Sequence, residues 1–205
     1  MLTWILILVL AGLFGSIPVS LLIARANHVD LRQVGSGNVG ATNVYRALGP
    51  AWAVLAFLGD ALKGALPVLL AIFLFDRGPN ADWWVAGAGL LAVLGHLFPP
   101  WLKFRGGKGV ATSFGVMLAL SPWAALLAFA LWAALAVTLK ISSVASLVAA
   151  LSLPGFVYFL DPSPAVRWLA LIMTVLIFVS HHENLRRLLR GEEKPIRRNP
   201  PPAAL

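Results

Sequence analysis

The segment Gly35-Ser36-Gly37-Asn38-Val39-Gly40-Ala41-Thr42-Asn43-Val44-Tyr45-Arg46 is polar and glycine-rich within a chain that is otherwise strongly apolar. Glycines at 35, 37 and 40 let a backbone bend closely around a ligand. Ser36, Asn38, Thr42, Asn43 and Arg46 supply hydrogen-bonding groups along the same stretch. At membrane depth such irregular polar backbone is tolerated only where protein buries it or it lines a cavity. The chemistry it suits is anion binding, with glycine-rich N–H groups cupping a phosphate and an arginine fork gripping it.

Two further polar islands carry chemically useful groups. In Gly95–Gly109, Lys108 stands beside Gly106 and Gly107 as a phosphate contact. Lys103 and Arg105, flanked by Trp101 and Phe104, fit an interfacial role better. In His181-His182-Glu183-Asn184-Leu185-Arg186-Arg187, His181 and Asn184 lie three apart and share a helix face. His181 suits proton transfer or a hydrogen bond to substrate. The adjacent His181 and His182 diverge on a helix, so they do not form a zinc pair, and no metal is implied. Asp60 and Lys63 are an ionisable i,i+3 pair inside an apolar stretch, where such groups face a cavity or each other. His96, just before Pro99-Pro100, either supports the site or ends its helix.

Several other chemistries fail on context. Gly35, Gly37 and Gly40 spell G-x-G-x-x-G, and Asp60 follows about 20 residues later, as a dinucleotide fingerprint requires. The run follows an apolar span rather than a strand, so the βαβ setting is missing. Gly107-Lys108 is followed by Gly109 rather than Ser or Thr, which argues against a nucleotide-triphosphate loop. None of His28, His96, His181 and His182 has an aspartate five residues later, against the H-x-x-x-x-D chemistry of thioester-dependent acyltransferases. The absence of cysteine removes disulfides and thiolate metal sites.

These islands must be positioned by membrane helices. Hydrophobic residues make up 60% of the 205 and charged residues 12%, about half the charged share of soluble domains. Mean hydropathy is +0.85. Apolar stretches run over Leu2–Ala24, Ala51–Phe75, Trp83–Phe98, Val110–Leu120, Pro122–Leu139, Val144–Leu160 and Val166–Val179. The first lacks a basic n-region and exceeds a signal-peptide core, so it reads as a span despite Ala24-Arg25-Ala26. The short Val110–Leu120 is counted separately by parity, because the basic segments 103–108 and 186–198 both belong on the cytoplasmic side. The expected fold is therefore all-α, about seven transmembrane helices including short broken ones, with the N-terminus outside and the C-terminus cytoplasmic. Thirteen of the 16 Lys and Arg then lie inside, with Arg77 and Arg167 outside and Lys63 in a span. That asymmetry accounts for the pI near 10.9 without nucleic acid. Residues 1–190 form one transmembrane domain, and 191–205, with Glu192-Glu193-Lys194 and Pro200-Pro201-Pro202, read as a flexible cytoplasmic tail.

Gly35–Arg46 closely resembles the first motif of the bacterial acyl-phosphate:glycerol-3-phosphate acyltransferases of the PlsY type. Gly95–Pro99 with Lys103–Thr112 is similar to the second motif, and His181–Leu188 with Gly191-Glu192-Glu193 to the third. Gly59-Asp60-Ala61-Leu62-Lys63-Gly64 matches a further signature, and length, order and spacing agree over nearly the whole chain. The one departure is Arg105, where lysine is often seen. The resemblance implies short, broken helices framing a site open to the cytoplasm of a bacterial inner membrane. It implies acyl transfer from acyl phosphate to the 1-hydroxyl of sn-glycerol 3-phosphate, giving 1-acylglycerol 3-phosphate and phosphate, the first step of phospholipid synthesis. No cofactor is implied, and the pathway partners would be the enzyme that makes acyl phosphate and the next acyltransferase. By the family's motifs, Ser36, Arg46 and Lys108 would hold phosphate while His181 and Asn184 contact the substrates near the reacting centre.

The residues suit this reaction physically. Acyl phosphate is a mixed anhydride with a good leaving group, so positioning and charge stabilisation suffice. The proton acceptor is either His181 or the acceptor's own phosphate. A Ser36–His181 nucleophile–base pair is the competing mechanism, weakened by the missing third member. A small organic-phosphate or anion transporter is the competing function. Its weakness is that the three islands map to one face, whereas alternating access needs a midplane site.

Overall fold

Backbone N–H and C=O groups in hydrocarbon must satisfy one another, and this chain does so with helices. The computed structural model describes residues 2–74, 78 and 80–197, and among these there is no strand. Phe75, Arg77 and the tail residues 198–205 of the sequence reading lie outside the described residues. The helices are α1 (Leu2–Gly15), α2 (Val19–Ala26), α3 (Ala41–Leu48), α4 (Pro50–Leu74), α5 (Ala81–Leu97), α6 (Val110–Leu120), α7 (Pro122–Leu139), α8 (Ser142–Leu160), α9 (Pro164–Ser180) and α10 (His182–Leu189), with one 3-10 turn at Pro100–Leu102.

Five stretches are long and apolar enough to cross a membrane: Leu2–Ala26, Pro50–Leu74, Ala81–Leu102, Pro122–Leu139 and Ser142–Leu160. The pair α9–α10, bent by 59°, makes a sixth if taken as one span. The short seventh element expected at Val110–Leu120 is present as the separate helix α6. α6 has 11 residues, about 16 Å of helix at 1.5 Å per residue, roughly half the hydrocarbon thickness. The first span is also divided, because Pro18 interrupts it between α1 and α2.

Helix packing is set by small residues. A side chain at Gly64 would overlap the Thr112 carbonyl, and one at Gly115 would overlap Ala61, so α4 and α6 meet at backbone contact. Gly95 and Gly15 do the same for α5 and α1, against Gly12 and Ala92. The main core lies deep among these helices, with Val68, Val93, Val116, Met117, Val157 and Met173 enclosed. A second cluster of Ala24, Leu31, Val44, Ala47 and Ala56 fastens the loop after α2, and α3, onto α4. The lipid-like periphery keeps its apolar side chains outward, and α7 buries only Ala124 and Ala125.

Candidate active site

The first island is a tight turn leading into α3. Gly35 and Gly37 adopt φ of +58° and +71°, where glycine is favoured over other residues. A side chain at Gly35 would overlap Asn43 Oδ1 and press on the Arg46 stem. Asn43, buried on α3, donates its amide to the carbonyls of Leu31 (2.9 Å) and Val34 (3.0 Å), and its Oδ1 accepts the Ser36 N–H at 3.1 Å. Gly37 N–H donates to Val34 O at 2.9 Å, and Asn38 N–H reaches Ser36 Oγ at 3.4 Å. Part of the expected cup of backbone N–H groups is therefore already engaged. The N–H groups of Ser36, Gly37 and Asn38 hold the loop's own shape, and Asn43 is its staple. Two side-chain contacts complete the loop: Ser36 Oγ accepts from Arg46 Nη1 at 3.5 Å, and Thr42 Oγ1 lies 3.0 Å from Ser142 Oγ.

Two glycine N–H groups of the second island are engaged in the same way. Gly106 N–H donates to Leu97 O (2.9 Å) and Gly107 N–H to His96 O (3.2 Å), so both terminate α5 rather than cradle a ligand. A side chain at Gly107 would overlap the His96 ring. Their contribution is to deliver Lys108, whose Nζ donates to Asn184 Oδ1. The Lys108 carbonyl accepts the Ser180 hydroxyl at 3.1 Å, tying this loop to α9. Lys103 and Arg105 are exposed, as the interfacial reading expects.

The third island lies at the α9–α10 bend. His181 is buried, and its Nδ1 lies 2.8 Å from Ile177 O. A carbonyl oxygen only accepts, so Nδ1 carries the proton and Nε2 of the neutral ring is left as the acceptor. Asn184 Nδ2 donates to Glu193 Oε1 at 2.6 Å. Glu193 Oε1 also accepts from Ser143 Oγ (2.9 Å), and its Oε2 accepts from Arg187 Nε (2.7 Å).

Glu193 was missed as a site residue, and the first residues of the expected tail make contacts with the helices. The Arg46 guanidinium donates to the carbonyls of Lys194 (3.2 Å) and Pro195 (3.3 and 3.4 Å). Ile196 N–H donates to Lys140 O at 2.7 Å. The segment after α10 thus crosses the site as a strap. The available signal was the acidic pair Glu192-Glu193 inside an otherwise basic terminus.

The electrostatics follow from crowding cations under protein. Burial lowers the Arg46 pKa, with Glu193 opposing and Arg187 adding to the shift. Burial brings Lys108 down to about 8, partly offset by Glu193. Burial alone would raise Glu193, but hydrogen bonds from Asn184, Arg187 and Ser143 more than offset it and hold the carboxyl below its usual range.

A cavity of about 400 Å³ joins these groups. Ser36, Arg46, Lys108, His181 and Asn184 all line it, as do Asn38, Gly40, Thr42 and Asn43, whereas Gly35, Gly37, Gly106 and Gly107 do not. The rest of its wall is mostly apolar, including Phe57, Phe114, Phe129 and Trp132 from α4, α6 and α7, whose neighbouring rings lie 5.0–5.7 Å apart. Asp60 and His96 reach its edge. Lys63 Nζ sits 2.8 Å from Asp60 Oδ1 and donates to Ile17 O at 2.7 Å, while Ser20 Oγ donates to Asp60 Oδ2 at 2.9 Å. His96 Nδ1 is 3.8 Å from Asp60 Oδ1. This buried knot ties the α1–α2 break to α4 and α5, beneath the loop that carries Lys108.

Fold and site together define an integral membrane protein of helices with a cationic pocket opening into an apolar groove. The chain belongs to the glycerol-3-phosphate acyltransferase family, whose pattern it matches over residues 5–191. It is 46% identical over 193 residues to the glycerol-3-phosphate acyltransferase of Geobacter sulfurreducens, covering 94% of this chain and 97% of that one. It is 47% identical over 190 residues to that of Caulobacter vibrioides, covering 92% and 86%. Its fold is similar to crystal structures of PlsY (YgiH), an integral membrane glycerol 3-phosphate acyltransferase. The glycerol 3-phosphate form matches with a TM-score of 0.88 at 41% identity, covering 94% of this chain and 95% of that one. The lysophosphatidic acid form matches at 0.86 and 39%, with the same coverage.

Proposed function

We propose that this membrane acyltransferase moves a fatty acyl group from acyl phosphate to the 1-hydroxyl of sn-glycerol 3-phosphate, at the cytoplasmic face of a bacterial inner membrane. The observation that carries the reading is one cavity with the buried Arg46, the half-buried Lys108 and the His181 imidazole at its polar end and an apolar wall beyond. Both substrates carry phosphate, which Arg46 grips as a fork and Lys108 as a point charge. The acyl chain enters sideways from the bilayer, where Val54 is both exposed and part of the cavity wall.

The acceptor hydroxyl attacks the acyl carbon, the bond from that carbon to the phosphate oxygen breaks, and phosphate leaves with its electron pair. The hydroxyl proton passes to His181 Nε2 or to a substrate phosphate oxygen. Ser36 acts as a ligand contact: its Oγ accepts from Arg46, and no hydrogen bond joins it to His181. Asn184 and Lys108 stabilise the oxygen on which charge develops. The product, lysophosphatidate, passes to the next acyltransferase, and the donor comes from the enzyme that makes acyl phosphate.

The test is direct. Purified protein with palmitoyl phosphate and glycerol 3-phosphate should release phosphate and form lysophosphatidate. Turnover with acyl-CoA alone, or none with acyl phosphate, refutes the reading. For orientation, cysteine at position 161 should be labelled from outside and cysteine at 140 should not, with the reverse result overturning the cytoplasmic site.

A further inference from the structure

The apolar half of the cavity has a floor. On α8 the residues lining it are Ser146, Ala149, Ala150 and Leu153, and on α7 they are Ala125, Ala128, Phe129 and Trp132. Each set follows i, i+3, i+4, i+7 spacing, one face of a helix. Met117, two turns into α6, joins them. Most of this wall is made of small residues, so it leaves space. Met117, Ala125 and Leu153 differ from the rest because they also belong to the closed main core. The cavity ends where that core begins. Its depth follows from α8: Ser143 bonds Glu193 at the polar end, and Leu153 lies ten residues further on, about 15 Å at 1.5 Å per residue.

We propose that Leu153 and Met117 are the end-stop of a chain-length ruler for the acyl group, and that Ala149 and Ala150 set its bore. The proposal rests on the acyl-phosphate reading above. The acyl carbon is held at Lys108 and Asn184, so the position of the floor fixes how many methylenes are buried before the chain meets packed protein. Each methylene that fits gains burial, and the next meets Leu153 or must fold back. A side chain lengthened on the bore moves the stop toward the reacting centre, and one shortened at the floor moves it away.

The experiment compares kcat/KM for lauroyl, palmitoyl and stearoyl phosphate in the parent, Ala149→Leu and Leu153→Ala. Each methylene denied burial should cost about fourfold, equivalent to about 0.8 kcal/mol. Ala149→Leu should lower the palmitoyl-to-lauroyl ratio by about tenfold or more, and Leu153→Ala should raise the stearoyl-to-palmitoyl ratio. The two variants act in opposite directions, so a folding failure in one leaves the other decisive. If both keep the parent's profile, the chain's end lies in the bilayer and the ruler is wrong while the acyl-phosphate donor stands. A parent inactive with every acyl phosphate removes the donor reading and the ruler with it.

Discussion

Asn184 Nδ2 donates to Glu193 Oε1 at 2.6 Å, and this bond decides which end of the amide meets Lys108. A carboxylate only accepts, so the NH2 group must face Glu193 and the oxygen must face the ammonium. A residue from the chain terminus therefore orients a residue of the bend. Glu193→Gln offers a mixed donor–acceptor in place of the carboxylate and removes its charge from Arg187. Losing one such charge-assisted bond is worth about 1.5–3 kcal/mol, so kcat/KM for glycerol 3-phosphate should fall about 10- to 100-fold. Parent-like kinetics in Glu193→Gln would show that Asn184 is oriented by something else.

Arg46 is buried, with its guanidinium shared between Ser36 and the strap carbonyls. Arg46→Ala should lower turnover by about 100-fold or more, the scale of removing a donor from a preorganised anion site. Arg46→Lys keeps charge but loses the fork, and should recover only part of it. Initial rates with saturating acyl phosphate check both.

The Lys108 ammonium, with its pKa lowered to about 8 chiefly by burial, is charged below that pH and neutral above it. Phosphate affinity should therefore fall as pH rises through about 8, seen as an alkaline limb in kcat/KM, which reports the free enzyme. Lys108→Arg should move that limb out of the accessible range, because arginine stays protonated. An unmoved limb would assign it to another group.

Gly107 packs on the His96 ring with no room for a side chain. Gly107→Ala should displace Lys108, and a shift of about 1 Å at a reacting centre costs about 100-fold. Adding His96→Ala removes the obstruction, so the double variant should be more active than Gly107→Ala alone. If it is not, the loop is held by something other than that contact.

Asp60 and Lys63 form an enclosed pair at 2.8 Å. Breaking a buried pair from one side costs about 3–5 kcal/mol, so Asp60→Asn should lose stability on that scale in detergent. Asp60→Asn with Lys63→Met should recover much of it, since no uncompensated charge remains. Thermal unfolding of both proteins decides.

Composition and hydrophobic patterning already determined an all-helical membrane protein, because long continuous apolar runs can satisfy their own backbone in lipid only as helices, whereas barrel strands need short alternating segments. Residue chemistry was equally local: Arg46, Lys108, His181 and Asn184 could be chosen for their charge and donor sets, and they do share one cavity. Three things were decided only by the tertiary structure. Whether a glycine's N–H faces a ligand depends on which carbonyl is already nearby, and Leu97 and His96 claim those of Gly106 and Gly107. Where eleven apolar residues pack depends on partners far along the chain, and α6 is held against α4 by Gly64 and Gly115. Glu193 looked like part of a solvated tail because its partners, Ser143, Asn184 and Arg187, lie up to 50 residues away in the chain. Local sequence sets what each group can do, and only the fold brings distant groups close enough to use it.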